Sequence, residues 1–263
     1  MSELTVDFNN KIRERLPARG CFTSNELTNL LKRHYPELKK STLYWKISEL
    51  KRKGLITPVK KGIYMLTESK KVYEPIVSDL QGQISNIISN SYDDIVFCSW
   101  NSNWLNDFSI HQAYNNILLV NIERDLVKSV FHMLQDKGVK NLYLTPDNNV
   151  IDNYISEVEE AVVIIPLITK SPVIELSGVP APVLEKILVD TFCDDKLLTA
   201  YSGGELKTIF ENAFEEFVVD ISKMINYSRR RKRENRLKEF LISNNILAED
   251  ILLHNKVVLG LLH

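Results

Sequence analysis

The chain has 263 residues, of which 44% are hydrophobic and 25% are charged, so its composition excludes a disordered chain and fits a soluble protein with one or two cores. The net charge of -1 conceals a segregation of charge. Residues 1–75 hold 16 Lys and Arg against 8 Asp and Glu, a balance of +8, and subtraction from the totals of 33 and 34 leaves -9 for residues 76–263. This asymmetry predicts a basic module for a polyanion over residues 1–75 and an acidic domain over residues 76–263.

Targeting and metal-binding patterns are missing from the sequence. The amino terminus lacks the basic and apolar regions of a signal peptide, and no stretch approaches about 18 consecutive apolar residues. The three cysteines are far apart, and the five histidines lack the close spacing of a typical zinc site. We therefore expect a cytoplasmic protein with no membrane segment, no cofactor and no metal site.

Three helices are predicted in the basic module. The first covers residues 5–16, where apolar side chains recur at approximately helical spacing. The second begins near Thr23-Ser24, whose hydroxyl groups can cap free amides, and Glu26 favours the positive end of the helix dipole. A third helix has three apolar residues at i, i+4 and i+7 that predict an inward face: Leu43, Ile47 and Leu50.

Two short apolar strands, over residues 55–59 and 63–66, flank the basic turn Lys60-Lys61-Gly62 and predict a β-wing. Three helices followed by a wing form a winged helix-turn-helix, in which the third helix enters the major groove of DNA. Polar, aromatic and basic side chains on that helix and wing are then expected to contact bases or phosphates. They are Lys39, Lys40, Ser41, Thr42, Tyr44, Trp45, Lys46, Ser48, Lys51, Arg52, Lys60 and Lys61.

Two other interpretations of this module remain open. Its lysines can simply solvate the surface of a helical bundle with a hairpin, and a winged helix can dock a protein instead of DNA. Trp45 can pack beneath the wing as easily as it can stack on a sugar. The surplus of positive charge on the third helix and wing favours DNA.

The acidic segment alternates apolar runs of strand length with helical patterns. The predicted strands lie at residues 95–98, 117–120, 142–144 and 162–165, and the chain from about Val183 onward is predicted to be nearly all helix. This alternation indicates an α/β sheet with buried strands. The predicted fold class is therefore α/β, with an N-terminal winged helix-turn-helix and a larger α/β domain whose C-terminal part is helical.

The segment between the first two predicted strands mixes aromatic, amide and imidazole groups, as a partner-binding loop would; its candidate residues are Asn106, His111 and Gln112. Asp107, His111 and Glu123 can also be drawn as a metal-assisted nuclease constellation, although the strand lacks the lysine expected after Glu-x. Catalysis is thus a competing hypothesis. A plain regulator whose second domain senses a ligand or mediates dimerisation is a third.

Two further segments carry charge. Pro180-Ala181-Pro182 is expected to set the entry to a helix. The helix follows as Leu184-Glu185-Lys186-Ile187-Leu188-Val189-Asp190, and its charged residues are predicted to form its polar side. The basic run at residues 229–233 marks a solvated helix end, extends a DNA track or holds an acidic partner, which makes Arg229, Arg230 and Arg231 candidate partner-binding residues. Gly203-Gly204 is expected to mark the turn before a helix and not a phosphate cradle.

Taken together, these motifs resemble AbiEi-type antitoxins of abortive-infection (type IV) toxin-antitoxin systems. The segments that carry the resemblance are Ser41-Thr42-Leu43-Tyr44-Trp45-Lys46-Ile47, Lys61-Gly62-Ile63-Tyr64, Asn106-Asp107-Phe108-Ser109-Ile110-His111-Gln112, the block at residues 184–190, and Tyr227-Ser228-Arg229-Arg230-Arg231. The resemblance implies a bacterial transcriptional autorepressor whose winged helix binds inverted repeats of double-stranded operator DNA. It also implies an antitoxin that counteracts a cognate nucleotidyltransferase toxin and has no catalytic activity.

Overall fold

A computed structural model describes residues 21–34, 36, 39–52, 56–66, 71–194 and 196–247. The predicted helix at residues 5–16 lies outside them. The strands are β1 (Cys21–Thr23), β2 (Ile56–Lys60), β3 (Ile63–Leu66), β4 (Phe97–Asn101), β5 (Asn116–Ile122), β6 (Leu142–Leu144), β7 (Glu160–Pro166), β8 (Val173–Leu176) and β9 (Val179–Pro182). The main helices are α1 (Ser24–His34), α2 (Lys40–Arg52), α3 (Asp79–Ser91), α4 (Val127–Asp136), α5 (Leu184–Cys193), α6 (Gly204–Glu216), α7 (Ile221–Arg230) and α8 (Glu234–Ser243).

Helices α1 and α2 pack on a three-stranded antiparallel sheet of order β1-β3-β2. The start of α1 has the predicted cap, because the Glu26 amide donates to Thr23 Oγ1 at 3.2 Å and the Thr23 amide donates to Glu26 Oε2 at 2.6 Å. The predicted inward face of α2 is confirmed, since Leu43, Ile47 and Leu50 are all buried. Strand β1 was not predicted; it is only three residues long and is stabilised by pairing with β3.

A four-stranded sheet of order β4-β5-β7-β6 forms the centre of the larger segment. Strands β5, β7 and β6 are parallel, and β4 is antiparallel to β5. Alternate β5 side chains enter two cores: Leu118, Val120 and Ile122 pack with α3 and α4, whereas Ile117 and Leu119 pack with α5 to α8. The predicted α/β class is confirmed, and the sheet lies between two helical layers.

The hairpin formed by β8 and β9 was not predicted. Pro180 and Pro182, which we expected to set the entry to a helix, lie in β9, and α5 begins only at Leu184. Strand β9 tolerates two prolines because it pairs with β8 in a two-stranded sheet, so few ladder amides are needed. The connecting residues Ser177 and Gly178 both have positive φ, as in a type I′ hairpin turn.

The hairpin β2–β3 also joins the larger segment. Val59 is buried in the core that α5 to α8 form on the sheet, and Ile63 and Met65 pack against that core. Helix α7 contacts β2 directly. The hairpin therefore packs on both the N-terminal helices and the larger segment.

Among the helices of the described ranges, none combines the length and the apolar character needed to cross a membrane.

Tyr73 anchors the chain where it enters the larger segment. Its ring packs on Phe108 and Phe217 at centroid distances of 4.8 and 5.1 Å. Its hydroxyl lies 2.9 Å from Asp107 Oδ2 and 3.0 Å from the Trp104 carbonyl oxygen. Burial, together with the Asp107 carboxylate, raises the pKa of Tyr73 far above its usual range, so the hydroxyl remains a donor.

We expect Tyr73→Phe to lower the free energy of unfolding by about 1–2 kcal/mol, because it removes the buried hydrogen bond to the Trp104 carbonyl oxygen and the partly buried one to the Asp107 carboxylate but keeps the ring packing. Urea denaturation measures this change. Tyr154→Phe is the control, since Tyr154 is 61% exposed and should change stability by less than about 0.5 kcal/mol. Equal losses in the two variants would contradict the anchoring role.

Candidate nucleic-acid interface

Helix α2 presents a polar and aromatic face to solvent. Tyr44 and Trp45 are 67% and 60% exposed, although large aromatic side chains usually lie inside. Ser41, Ser48 and Arg52 are exposed along the same face, and Thr42 and Lys46 are partly exposed. Trp45 therefore does not pack beneath the hairpin, which was one of its two predicted positions. The Ser48 hydroxyl donates to the Tyr44 carbonyl oxygen at 3.1 Å, so it faces outward mainly as an acceptor.

Basic side chains flank this face. Lys39 precedes α2 and is exposed, and Lys61 is exposed in the turn between β2 and β3. The Lys51 ammonium group lies 5.9 Å from the centre of the Tyr64 ring, which ties the end of α2 to the hairpin. The side chains of Lys40 and Lys60, also predicted to bind DNA, lie outside the described part of the structure.

A cleft of about 620 Å³ opens beside the contact between the hairpin and α7. We call it the junction cleft. One wall comes from the end of α2 and the hairpin, and the other comes from α7 and the loop that follows β7. Its lining residues are Lys51, Pro58, Lys61, Gly62, Tyr64, Lys170, Pro172, Asp220, Ser222, Lys223, Asn226, Tyr227, Arg229 and Arg230. Six of these described residues are basic and one is acidic, so together they carry a net charge of +5.

The predicted basic run at residues 229–233 divides between different environments. Arg229 forms two hydrogen bonds with Glu234, at 2.5 and 2.9 Å, and these hold the pKa of Glu234 down to about 2. Arg230 donates to the hydroxyl and the carbonyl oxygen of Thr169. Arg231 turns toward the interior, 3.5 Å from Asp190 Oδ1. Of the three arginines, Arg230 therefore brings charge to the cleft without an acidic partner among these contacts.

Beneath the cleft lies a buried polar network. The Lys186 ammonium group, in a residue only 1% exposed, donates to Asp190 and, at 3.0 Å, to Asn121 Oδ1 on β5. The Tyr227 hydroxyl donates to Asp190 Oδ1 at 2.9 Å. The network thus joins the sheet, α5 and α7, and it includes Tyr227 in the wall of the junction cleft.

The prediction that Glu185, Lys186 and Asp190 form the polar side of a helix was wrong. All three are buried, because α5 is covered by the sheet and by α7. Burial alone would lower the pKa of Lys186, but the Asp190 carboxylate raises it above its usual range, so the ammonium form is retained. Glu185 accepts from the Asp220 amide at 2.7 Å and so fixes the start of α7.

The predicted partner-binding loop is tied to α6. Glu205 accepts from the amides of Ile110 and His111 and lies 2.9 Å from His111 Nδ1. The His111 side chain is 84% exposed, and Gln112 is exposed beside it. The Tyr201 hydroxyl donates to Asn106 Oδ1 at 3.0 Å, so Asn106 has a structural contact.

The structure does not assemble Asp107, His111 and Glu123. Asp107 and His111 follow the end of β4, whereas Glu123 follows the end of β5 and accepts from the amide of Val96, the residue before β4. Because β4 and β5 are antiparallel, their carboxyl ends lie at opposite ends of the paired strands, about 13 Å apart along the strand direction. The nuclease constellation is therefore wrong as drawn. Within the described ranges, no group of three or more His, Cys, Asp or Glu side chains is arranged to hold a metal ion.

Three cleft residues carried no pattern in the sequence: Lys170, Asp220 and Lys223. They come from a loop and a helix that are distant in sequence from the hairpin, and only the packing of β2 on α7 brings them together. The single indication was the basic run next to Tyr227, which suggested an extended DNA track. Lys51 was already among the predicted basic residues.

We expect Asp190→Asn to destabilise the protein by about 3–5 kcal/mol, because it leaves the buried Lys186 ammonium without its anion. Lys186→Met should cost less, since Asp190 keeps the Tyr227 hydroxyl and Arg231. The control is Glu211→Gln, which breaks the exposed i,i+4 pair with Lys207 and should cost less than about 0.5 kcal/mol. Thermal or urea unfolding compares the three variants, and a larger loss for Lys186→Met would contradict this account.

Comparisons with known proteins add a family but no function. The model of a family of unknown function, DUF6577, matches residues 42–247. No curated protein and no solved structure matches the chain. The matched range covers well over half of the sequence and contains the hairpin, the sheet, the buried network and the junction cleft. The chain therefore belongs to DUF6577, a family whose function is unknown.

Proposed function

We propose that this protein is a DNA-binding transcriptional autorepressor and an antitoxin that counteracts a cognate nucleotidyltransferase-type toxin. The DNA-binding part of this proposal depends on one observation, the exposed face of α2 beside a basic hairpin turn. The antitoxin part depends on the resemblance of the sequence to AbiEi-type antitoxins.

The order of elements supports a winged helix-turn-helix. A predicted helix, then β1, α1, α2, β2 and β3, gives a helix pair closed by a three-stranded sheet, with the β2–β3 hairpin as the wing. In this assignment α2 is the recognition helix. Its face from Ser41 to Arg52 runs about 16 Å along the helix axis, enough to cross a major groove about 12 Å wide.

The chemistry of the α2 face supports DNA as the partner. Hydroxyl groups and the Tyr44 phenol can bond to phosphates and base edges, and the lysines at both ends of α2 and in the turn can neutralise phosphates. Surfaces that dock other proteins are depleted in lysine, so the lysines around this face favour DNA over a protein partner. The exposed indole of Trp45 is then available to pack on a sugar or on the methyl group of a thymine.

We expect the triple variant Lys40→Ala, Lys46→Ala and Lys61→Ala to weaken binding to the protein's own promoter. The slope of log K against log salt should fall by up to about 3, because each phosphate contact contributes about 0.9. Titration of labelled promoter DNA at several salt concentrations measures both quantities.

The matched control replaces three lysines of the larger segment, Lys128, Lys137 and Lys207, by Ala and so changes the net charge equally. All three lysines are exposed and lie in or next to α4 and α6. An equal loss of affinity in both triple variants would mean that net charge, and not the α2 face, determines binding. Unchanged affinity and slope in the first variant would refute the DNA assignment.

The antitoxin role has a separate test. Expression of the toxin gene adjacent to this one should stop growth, and co-expression of this protein should restore it. The triple lysine variant should restore growth as well, provided that the toxin is expressed from an unrelated promoter, because neutralisation is assigned to the acidic domain. Failure of the wild-type protein to restore growth would refute the antitoxin role and leave the DNA-binding role intact.

A further inference from the structure

We propose that the junction cleft binds a small phosphorylated ligand of nucleotide size. This assignment goes beyond DNA binding and toxin neutralisation, because it gives the protein a ligand site of its own. It depends on three observations: the charge of the lining, the shape and apolar content of the cleft, and its position on the sheet.

The charge of the cleft calls for a compact polyanion. Arg229 is already paired with Glu234, and the Lys223 ammonium group lies 3.7 Å from Glu185 Oε1. The charge offered to a ligand therefore comes mainly from Lys51, Lys61, Lys170 and Arg230, which lie on both walls. Phosphate groups place several negative charges within a few ångströms, whereas an acidic peptide spaces its carboxylates along one face at roughly 7 Å intervals.

The shape of the cleft suits a small molecule. A volume of about 620 Å³ falls in the range of roughly 300–1,000 Å³ that is typical of small-molecule sites. The rings of Tyr64, Pro58 and Pro172 give the lining an apolar part on which a flat base can pack. Asp220, the one acidic side chain among the described residues of the lining, can accept from a ribose hydroxyl or a base amino group.

The position of the cleft agrees with a general rule for α/β proteins. Ligands of such sheets bind outside the carboxyl ends of the parallel strands. Lys170 and Pro172 belong to the loop that follows β7, and this loop crosses the end of β5, where the Leu167 amide donates to the Ile122 carbonyl oxygen at 2.7 Å. The Arg230 guanidinium group is oriented by Thr169 of the same loop, so part of the site is formed before a ligand binds.

Duplex DNA is the competing occupant, since Lys51 lies at the end of the α2 face. Two facing walls around one volume suit a compact ligand better than an extended backbone, which needs a continuous track. A ligand in this cleft would contact Lys61 on the hairpin and Arg230 on the larger segment at once. It would thereby join the proposed DNA-reading part to the rest of the chain.

The test measures binding of pyrophosphate and of ATP to the full-length, DNA-free protein in buffer with a metal chelator, by calorimetry. Lys170→Gln combined with Arg230→Gln should weaken binding of both probes at least about tenfold, because it removes two charge-assisted contacts. Lys61→Gln, on the opposite wall, should weaken both as well. The control is Lys207→Gln combined with Arg236→Gln, two exposed cations of α6 and α8 outside the cleft lining.

Tighter binding of ATP than of tripolyphosphate, which has the same number of phosphate groups, would support a ligand with a base. Absence of binding of both probes to the wild-type protein would overturn the proposal, and so would equal affinities in the cleft and control variants. Loss of promoter binding in the cleft variant, with pyrophosphate and ATP binding unchanged, would assign the cleft to the DNA backbone and also overturn it. Because the probes are measured without DNA, failure of the proposed repressor role leaves this test unaffected.

Discussion

The buried ion pair between Lys186 and Asp190 is the contact on which the arrangement of the larger segment depends. Placing an ammonium group away from water costs several kcal/mol unless an anion and further hydrogen bonds replace the water. Here the partners come from three elements: Asp190 on α5, Asn121 on β5, and Tyr227 on α7, which bonds to Asp190. The requirement to satisfy all of these groups fixes α7 against the sheet, and α7 in turn forms one wall of the junction cleft.

Local features of the chain were predictable from the sequence because they depend on near neighbours. The Thr23–Glu26 cap, the inward face of α2 with Leu43, Ile47 and Leu50, and the buried strands all follow from spacing within one element. The turn at Gly203 is another example. Gly203 lies immediately before α6, and its φ of +62° favours glycine. These features were enough to predict the α/β class.

Long-range packing could not be predicted in this way. The charged positions of α5 look like a solvent-facing stripe until the sheet and α7 cover them from both sides. The hairpin β8–β9 was not predicted, because β9 contains two prolines and proline usually argues against a strand. The junction cleft draws on residues near positions 51–64, 170–172 and 220–230, and no spacing rule connects them. A sequence without a glycine-rich phosphate motif can still build a basic cleft from side chains alone.

The burial of Val59 in the larger core has a consequence for synthesis on the ribosome. Helices α1 and α2 and residue Ile56 share a core of their own, so this part of the chain can collapse early. The outer side of the hairpin cannot, because its partner α7 emerges about 170 residues later. At roughly 5–20 residues per second, that side stays without its partner for about 10–30 s. During this interval the apolar face of the hairpin that carries Val59 is exposed, and the neighbouring lysines are then needed to resist association with other chains.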